Sequence, residues 1–498
     1  MKNIITSTQI RDTDRYTIET EPIASIDLME RAALAFVSLF TQLHPDRNTS
    51  ILVCCGTGNN GGDGLAIARL LQERGYDAIA VWVARFADHE SDDFATNLTR
   101  LHQTPIPITE FFPADRLPDI HQSVVIDALL GSGLNKPLAD DWLRLARHIN
   151  QADSRVVAVD IPTGLRADGT IPDAEYTIHA HEVIAFQRPK CGFFFPESAP
   201  AMDRFYVVDI GLDEAFIENT PSDFKLVELE DVQRIYRKRQ PFSHKGTYGH
   251  ALVIAGSTQT MGAALLCCGA SLHCGAGLTT ACIPPEGLTA LNTRFPEVMY
   301  CSEDDLDRVW ENMDAVGIGP GLGGRISMLE RCLAYADKPL VIDADALTYL
   351  GQNKSLVDHL PKGSVLTPHM KEFDRLFGDH GSWWDRVQTA RQQAIQRQLV
   401  VVLKNRYTFV AVPDGRVLIN PTGNPAMASG GMGDVLTGML VSFLAQGYPP
   451  DEAALLACYL HGAAGDQLAT AGMAVVPAGR LIRRLPKIIG TAADTAST

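Results

Sequence analysis

The 498-residue chain has no C-x-x-C spacing, no apolar run of membrane-spanning length, no short repeat or low-complexity tract, and no excess of positive charge. Each lack excludes something. A formal net charge of −16 gives no electrostatic footprint for nucleic acid or an anionic membrane surface, so neither is expected as a partner. Phosphate binding would then need local backbone amides and a few basic residues. The ten cysteines lie as adjacent pairs (Cys54 with Cys55, Cys267 with Cys268) or singly in apolar runs. They read as reduced packing residues rather than a disulfide frame or a metal site. The opening MKNIITSTQIRDTDRYTIE is broken by charge before an apolar h-region forms, so a cytoplasmic location is expected.

What is present is an ordinary globular composition, 46% hydrophobic and 20% charged, in a chain longer than one hydrophobic core usually supports. Two large α/β domains are expected. SIDLMERAALAFVSLF sets Ile26, Met29, Ala33, Val37 and Phe40 at helical spacing, which predicts an amphipathic helix. ILVCC, DAIAVWVA, SVVIDALL and RVVAVDIP are near-continuous apolar runs of the kind found in a parallel sheet covered on both faces. The pattern thins between about 215 and 225, so domains are expected at 1–220 and 221–498. A second alternation runs through GHALVIAG, DAVGIG, PLVIDAD, GSVLTP and QLVVVLK to a long helix, DVLTGMLVSFLAQG. The closing TAADTAST reads as a frayed tail.

In an open parallel sheet, ligands bind where strands end, and the informative residues of the first half follow its apolar runs. The first run leads into GTGNNGGDG and then a helical stretch, which suits an anion site at a helix N-terminus. Gly56 to Gly61 fit the G-x-G-x-x-G spelling of a dinucleotide fingerprint, yet Arg85 follows the second run where an NAD enzyme would carry an acid for the ribose. Ordinary hydride transfer is therefore a weak reading. Asp127 and Asp160 close the next runs. Each alone reads equally as a cap or loop tie, but three converging strand ends favour chemistry. Asn60, Asp127 and Thr163 offer hard oxygen ligands for a cation, and Asp160 can handle a proton.

GNNGGDG, DALLGSGLNKP, VDIPTGL and PKCGFFFPES, with the leading LMERAALA, closely resemble the NAD(P)H-hydrate epimerase family across the first domain. The resemblance implies a Rossmann-like parallel-sheet domain that takes a damaged dinucleotide as substrate: NADH or NADPH with water added across the nicotinamide C5–C6 bond. Asn59, Asn60, Gly61, Gly62 and Asp63 would contact it, as would Gly131, Ser132, Gly133, Leu134, Asn135, Lys136 and Pro137, and Asp160. For Lys136 a solvated loop position is an equal alternative. Asn60, Asp127 and Thr163 would bind potassium; a serine is common at the third position, and Thr163 keeps its hydroxyl and carbonyl. Asp160 is the candidate acid/base for interconverting the C6 epimers.

In the second half, NPTGNPAMASGGMGDVLTGML runs glycines straight into a helix whose apolar face carries Val435, Leu436, Met439, Leu440, Phe443 and Leu444. The amides of Gly431 to Asp434 would be free to form an anion hole, and Asp434 either caps the helix or takes a proton from an attacking hydroxyl. GPGLG lets backbone approach a ligand, Asp343 and Asp345 read as ties of their loop, His369 is structural or a hydrogen-bonding group, and Lys404 suits a nucleotide phosphate. With HKGTYGHALVIAGSTQTMGAALL, these motifs closely resemble the NAD(P)H-hydrate dehydratase family over most of 240–485. That implies a ribokinase-like α/β fold, with Ala263, Gly321, His369 and Asp434 on the hydrated cofactor. Lys404, Asn405, Arg406, Tyr407, Thr408 and Gly433 would hold the adenine nucleotide. Asn405 and Lys371 stand where the family commonly has glycine, and neither removes a reactive group. The expectation is a bifunctional repair enzyme that epimerises the R and S hydrates and dehydrates the S form with ADP, releasing AMP and phosphate. Magnesium on the nucleotide and a homo-oligomer are also expected. The rivals are a small-alcohol kinase with a regulatory domain and a dinucleotide sensor.

Overall fold

The computed structural model describes residues 1–335 and 337–494. Contacts divide the chain into two compact units, one formed by Asn3–Ser222 with Ser382–Trp384, the other by Met1–Lys2, Asp223–Gly381 and the chain from Asp385 onward. All ten cysteines are buried free thiols.

The first unit is built on a seven-stranded sheet, all parallel, in the order Ile108–Phe111, Ile79–Ala84, Ile51–Cys55, Val124–Ala128, Arg155–Val159, Glu182–Phe186, Phe205–Val208. The central runs ILVCC and VVIDA are buried at every position, which is why their apolar residues do not alternate. Helix Ser25–Leu43 buries Leu28, Met29, Ala32, Ala33, Phe36, Val37 and Phe40, a stripe of 3- and 4-residue spacing. The last four of these join the core beneath the sheet's Ile51, Val53, Val81 and Ile126. Chain order reverses between Ile51–Cys55 and Val124–Ala128, and such a reversal opens a crevice at the carboxyl ends of the two strands.

Pattern reading passes over a helix at Ser7–Thr20. It carries no apolar stripe, burying only Thr13 and Thr17, and is started by a reciprocal cap between Thr6 and Gln9. It also passes over the strands Ile108–Phe111, Glu182–Phe186 and Phe205–Val208, the first and last of which are half exposed at the sheet margins.

In the second unit, parallel strands run in the order Met299–Cys301, Leu278–Cys282, His250–Ile254, Ala315–Ile318, Leu340–Ile342, Val365–Leu366, Val400–Leu403. An antiparallel pair, Thr408–Ala411 and Val417–Asn420, extends the sheet. The helix expected to be amphipathic, Met432–Ala445, instead buries every residue from Val435 to Ala445. It packs between Met261–Cys274 and Pro450–Thr470, and a helix apolar all round belongs inside. A Cβ on Gly438 would lie 2.1 Å from the Cys267 carbonyl, so glycine sets how closely the first two of these helices approach. The TAADTAST segment is helical as far as Asp494, within Ala478–Asp494; residues 495–498 lie outside the described residues. Among the described residues no helix is long and apolar enough to cross a membrane.

Candidate functional site

In the first unit the glycine loop closes on itself. A Cβ on Gly61 would sit 1.8 Å from the Gly56 carbonyl oxygen, and one on Gly56 would sit 2.1 Å from that of Leu129, so both glycines are needed for packing. Asn59, Asn60, Gly61, Gly62 and Asp63 form the opening of helix Asn59–Glu73. Its N-cap, Gly58, has no side chain with which to cap the first amides. The helix start faces the neighbouring strand end: a Cβ on Gly131 would lie 3.3 Å from that of Asn60.

Asp127 and Thr163 meet directly. The Thr163 hydroxyl donates to Asp127 Oδ1 at 2.7 Å and its N–H to Oδ2 at 2.8 Å, while Leu129 N–H donates to Oδ1 at 3.2 Å. Both residues are fully buried. Burial lifts the Asp127 carboxyl to about 6 although the bonds from Thr163 and Leu129 pull the other way. The Asn60 Nδ2, on the helix start that faces Gly131, is buried without a partner.

Asp160 follows Arg155–Val159 in a left-handed conformation, φ 64°. Its Oδ1 accepts from Phe186 N–H at 3.0 Å and pairs with Lys190 Nζ at 2.7 Å. The Lys190 side chain is 1% exposed, so this is an interior ion pair. Asp14 and Asp63 share its electrostatic neighbourhood. Burial and the Asp160 charge push Asp14 up to about 6 against the pull of Lys190. Burial, Asp160, Asp14 and Asp93 push Asp63 well above its usual value. Neither Lys190 nor Asp14 stands out in the sequence. The lysine lies in PKCGFFFPES with nothing in the sequence to say which carboxylate it meets, and Asp14 lies in the polar helix that pattern reading passes over. The residues Gly131 to Pro137 form an open turn in which Gly133, Asn135, Lys136 and Pro137 are exposed and the Asn135 carbonyl accepts from Arg166 at 3.0 Å. Arg85 is bound to Glu110 at 2.6 Å and Glu90 at 2.9 Å.

The second unit gathers its groups at the ends of three neighbouring strands, Leu340–Ile342, Val365–Leu366 and Val400–Leu403. Lys404 follows Val400–Leu403, and its Nζ lies 2.9 Å from Asp343 Oδ1; Thr437 donates to Asp343 Oδ2 at 2.9 Å. Burial works to raise the Asp343 pKa, but Lys404 and the hydroxyls of Thr367 and Thr437 outweigh it and hold it low. Asp343 is thus a partner of Lys404, while Asp345 fixes the loop by accepting from Gly323 N–H at 2.8 Å.

Gly431 caps helix Met432–Ala445 at φ 90°, where any Cβ would be strained and would meet Leu266 at 2.5 Å. Asp434, in the first turn, is not that cap. Burial and the Asp343 charge lift its carboxyl to about 6, with Lys404 opposing. A Cβ on Gly433 would lie 3.4 Å from Asp343 Oδ2 and 3.5 Å from Lys404 Nζ, so these three converge.

A cavity of about 480 Å³ is lined by Lys404, Asn405, Arg406, Thr408 and Gly433. Tyr407 does not line it: the Arg406 guanidinium lies 4.5 Å from its ring centroid. His369 caps helix Met370–Phe377, its Nδ1 accepting from Lys371 N–H at 3.1 Å and Glu372 N–H at 3.3 Å, while its Nε2 lies 3.4 Å from Glu372 Oε1. Ala263 lies in the first turn of Met261–Cys274, and the preceding Thr260 hydroxyl donates to the Gly321 carbonyl at 2.6 Å, joining those two loops.

Each unit therefore carries a cradle at the carboxyl end of a parallel sheet, with a buried acid beside glycine-opened helix amides. Together they define a two-domain α/β enzyme of nucleotide chemistry, one unit Rossmann-like and the other ribokinase-like. Residues 25–192 match the family described as YjeF-related protein N-terminus, and 251–487 match NAD(P)H-hydrate dehydratase. The bifunctional NAD(P)H-hydrate repair enzyme of Moorella thermoacetica is 35% identical over 98% of this chain and 96% of its own length. The one of Escherichia coli K12 is 32% identical over 92% and 88%. A ribokinase-like superfamily protein from Enterococcus faecalis superposes with a TM-score of 0.51 at 30% identity, covering 55% of this chain and 98% of that one. The chain belongs to the bifunctional NAD(P)H-hydrate repair enzyme family.

Proposed function

We propose that the first unit interconverts the R and S epimers of hydrated NADH and NADPH, and that the second dehydrates the S form with ADP, releasing AMP and phosphate. One observation carries the dehydratase half. Asp434 has a pKa of about 6 and stands in the first turn of a helix whose Met432 and Gly433 line the cavity that Lys404 also lines. A base with that pKa is ionised near neutrality and close to the optimum for taking a hydroxyl proton. Asp434 accepts the proton of the C6 hydroxyl as its oxygen attacks the β-phosphorus of ADP and AMP departs. Lys404 and the amides around Gly433 stabilise the transferring phosphoryl group. The C6–O bond then breaks, phosphate leaves as the ring nitrogen pushes electrons in, and loss of a C5 proton restores the dihydronicotinamide. Magnesium enters as part of the nucleotide substrate.

In the first unit Asp160 exchanges the proton of the C6 hydroxyl during reversible opening of that centre, and Lys190 holds it in place. The Asn60, Asp127 and Thr163 oxygens suit potassium. A single buried carboxylate among neutral oxygens matches one positive charge better than two, and the unpartnered Asn60 amide can present its oxygen when turned over. Potassium there would neutralise Asp127 and fix the strand end beside the glycine loop.

The test mixes purified protein with hydrated NADH and ADP and follows the return of reduced-nicotinamide absorbance together with phosphate release. No return with either ADP or ATP overturns the dehydratase half, and a stable phosphorylated product would indicate a kinase instead. Unchanged R-to-S ratio in the absence of nucleotide overturns the epimerase half.

A further inference from the structure

Cations that follow the strands of the first sheet are mostly engaged with acids. Arg85, after Ile79–Ala84, is held by Glu90 and Glu110; Arg188, after Glu182–Phe186, by Glu214 and Glu218; and Lys190 by Asp160. Arg166 differs. It closes the loop that carries Asp160 and Thr163 after Arg155–Val159, and among the described residues no carboxylate pairs with it.

Its backbone is fixed from two sides. Gly164 turns the chain at φ 98°, where a Cβ would lie 2.0 Å from the Tyr176 carbonyl oxygen, and a Cβ on Gly192 would lie 2.3 Å from the carbonyl oxygen of Arg166 itself. The half-buried side chain is then anchored at one point: Nη2 donates to the Asn135 carbonyl at 3.0 Å, in the turn Gly131–Pro137 that follows Val124–Ala128. Nε is buried and out of a ligand's reach, whereas Nη1 makes no hydrogen bond and keeps its contact with solvent. The N–H groups left over on Nη1 and Nη2 suit two oxygens of one phosphate. The turn that Arg166 holds also carries the exposed Lys136, and it begins at Gly131, against the start of helix Asn59–Glu73. In a chain of net charge −16, a guanidinium kept clear of acids where strand ends form a crevice is placed for an anion.

Resting on the reading of the first unit as the epimerase of hydrated NADH and NADPH, we propose that Arg166 binds a phosphate of the dinucleotide through Nη1 and Nη2. Two groups of the substrate have that chemistry: the pyrophosphate, present in both hydrates, and the 2′-phosphate, present only in hydrated NADPH. Either is remote from C6, so the contact lowers KM and leaves the chemical step alone.

The test follows conversion of the separated R epimers of hydrated NADH and hydrated NADPH by the full chain without ADP, for wild type, Arg166→Gln and Arg166→Lys. Potassium is held fixed and choline chloride varies the ionic strength. Arg166→Gln should raise KM about tenfold and change kcat much less. The rise should appear with both hydrates if the pyrophosphate is the ligand, and with hydrated NADPH alone if the 2′-phosphate is. Its kcat/KM should also fall less steeply with salt than that of wild type, a change that a merely structural role would not produce. Arg166→Lys, which keeps the charge and loses the fork, should show a smaller rise in KM with the wild-type salt dependence, and it carries the comparison if Arg166→Gln does not fold. An unchanged KM for both hydrates in every folded variant, a loss confined to kcat, or an Arg166→Gln salt dependence equal to that of wild type overturns the contact. Wild type that leaves both R epimers unconverted overturns the epimerase reading, and the contact with it.

Discussion

The charge on Asp127 makes the cation site proposed for the first unit measurable. Burial outweighs the bonds to its carboxylate and lifts its pKa from 3.8 to about 6. A carboxyl whose folded pKa lies above its unfolded value binds its proton more tightly when folded. Its contribution is therefore most favourable below the unfolded value, declines as pH rises towards about 6, and is fully lost above that. The difference corresponds to about 3 kcal/mol, or about 6–12 °C in Tm for a unit of this size. A potassium ion on the ionised carboxylate offsets the loss, so potassium chloride should raise the Tm of the first unit at about pH 7.5 and hardly at all at about pH 5. Choline chloride at the same ionic strength is the control, and scanning calorimetry the assay. Asp127→Asn removes the ionisation. It also turns an amide N–H towards that of Thr163, costing about 1–3 kcal/mol, so it is compared with itself across pH. In that variant both the pH step and the potassium effect should vanish. An equal potassium shift at both pH values, or one that persists in Asp127→Asn, refutes the reasoning.

Two further outcomes concern catalysis. Asp434→Asn should lower the dehydration rate by about 10²- to 10⁴-fold and leave epimerisation intact; in wild type, kcat/KM for dehydration should fall as pH drops through about 6, where Asp434 takes up its proton. Survival of that acid limb in a residually active Asp434→Asn would assign it to another group. Lys190→Met leaves Asp160 without its cation and should cost about 3–5 kcal/mol along with epimerase activity. Adding Asp160→Asn should return much of the stability, read by urea unfolding, without returning activity. Additive losses in the double variant would refute the coupling.

The strands that position both sites were legible because they are buried on both faces. ILVCC and VVIDA show no competing period, and the glycine-bearing turns that follow them mark where the backbone must come close. What escaped was whatever depends on neighbours distant in sequence. Lys190 stands thirty residues from Asp160, and the contact exists only because Arg155–Val159 and Glu182–Phe186 are adjacent strands. Helix Ser7–Thr20, which carries Asp14, lacks the stripe that periodicity detects.

The Lys404–Asp343 pair joins these particulars into a sequence of events. Lys404 and Asp343 belong to strand ends separated by Val365–Leu366, so their 2.9 Å contact spans the floor of the second site. While it lasts, the lysine opposes the rise in the Asp434 pKa and cancels much of the Asp343 charge that promotes it. A nucleotide phosphate held at the proposed site would compete with Asp343 for that lysine. With Lys404 turned towards that phosphate, Asp343 would bear more directly on Asp434 and raise its affinity for the proton of the attacking hydroxyl. Lys404→Met imitates the withdrawn lysine without supplying a phosphate contact. Its residual dehydration should therefore have an acid limb at higher pH than wild type as well as weaker ADP binding. An acid limb that stays in place would mean that Lys404 serves the nucleotide alone and leaves the base untouched.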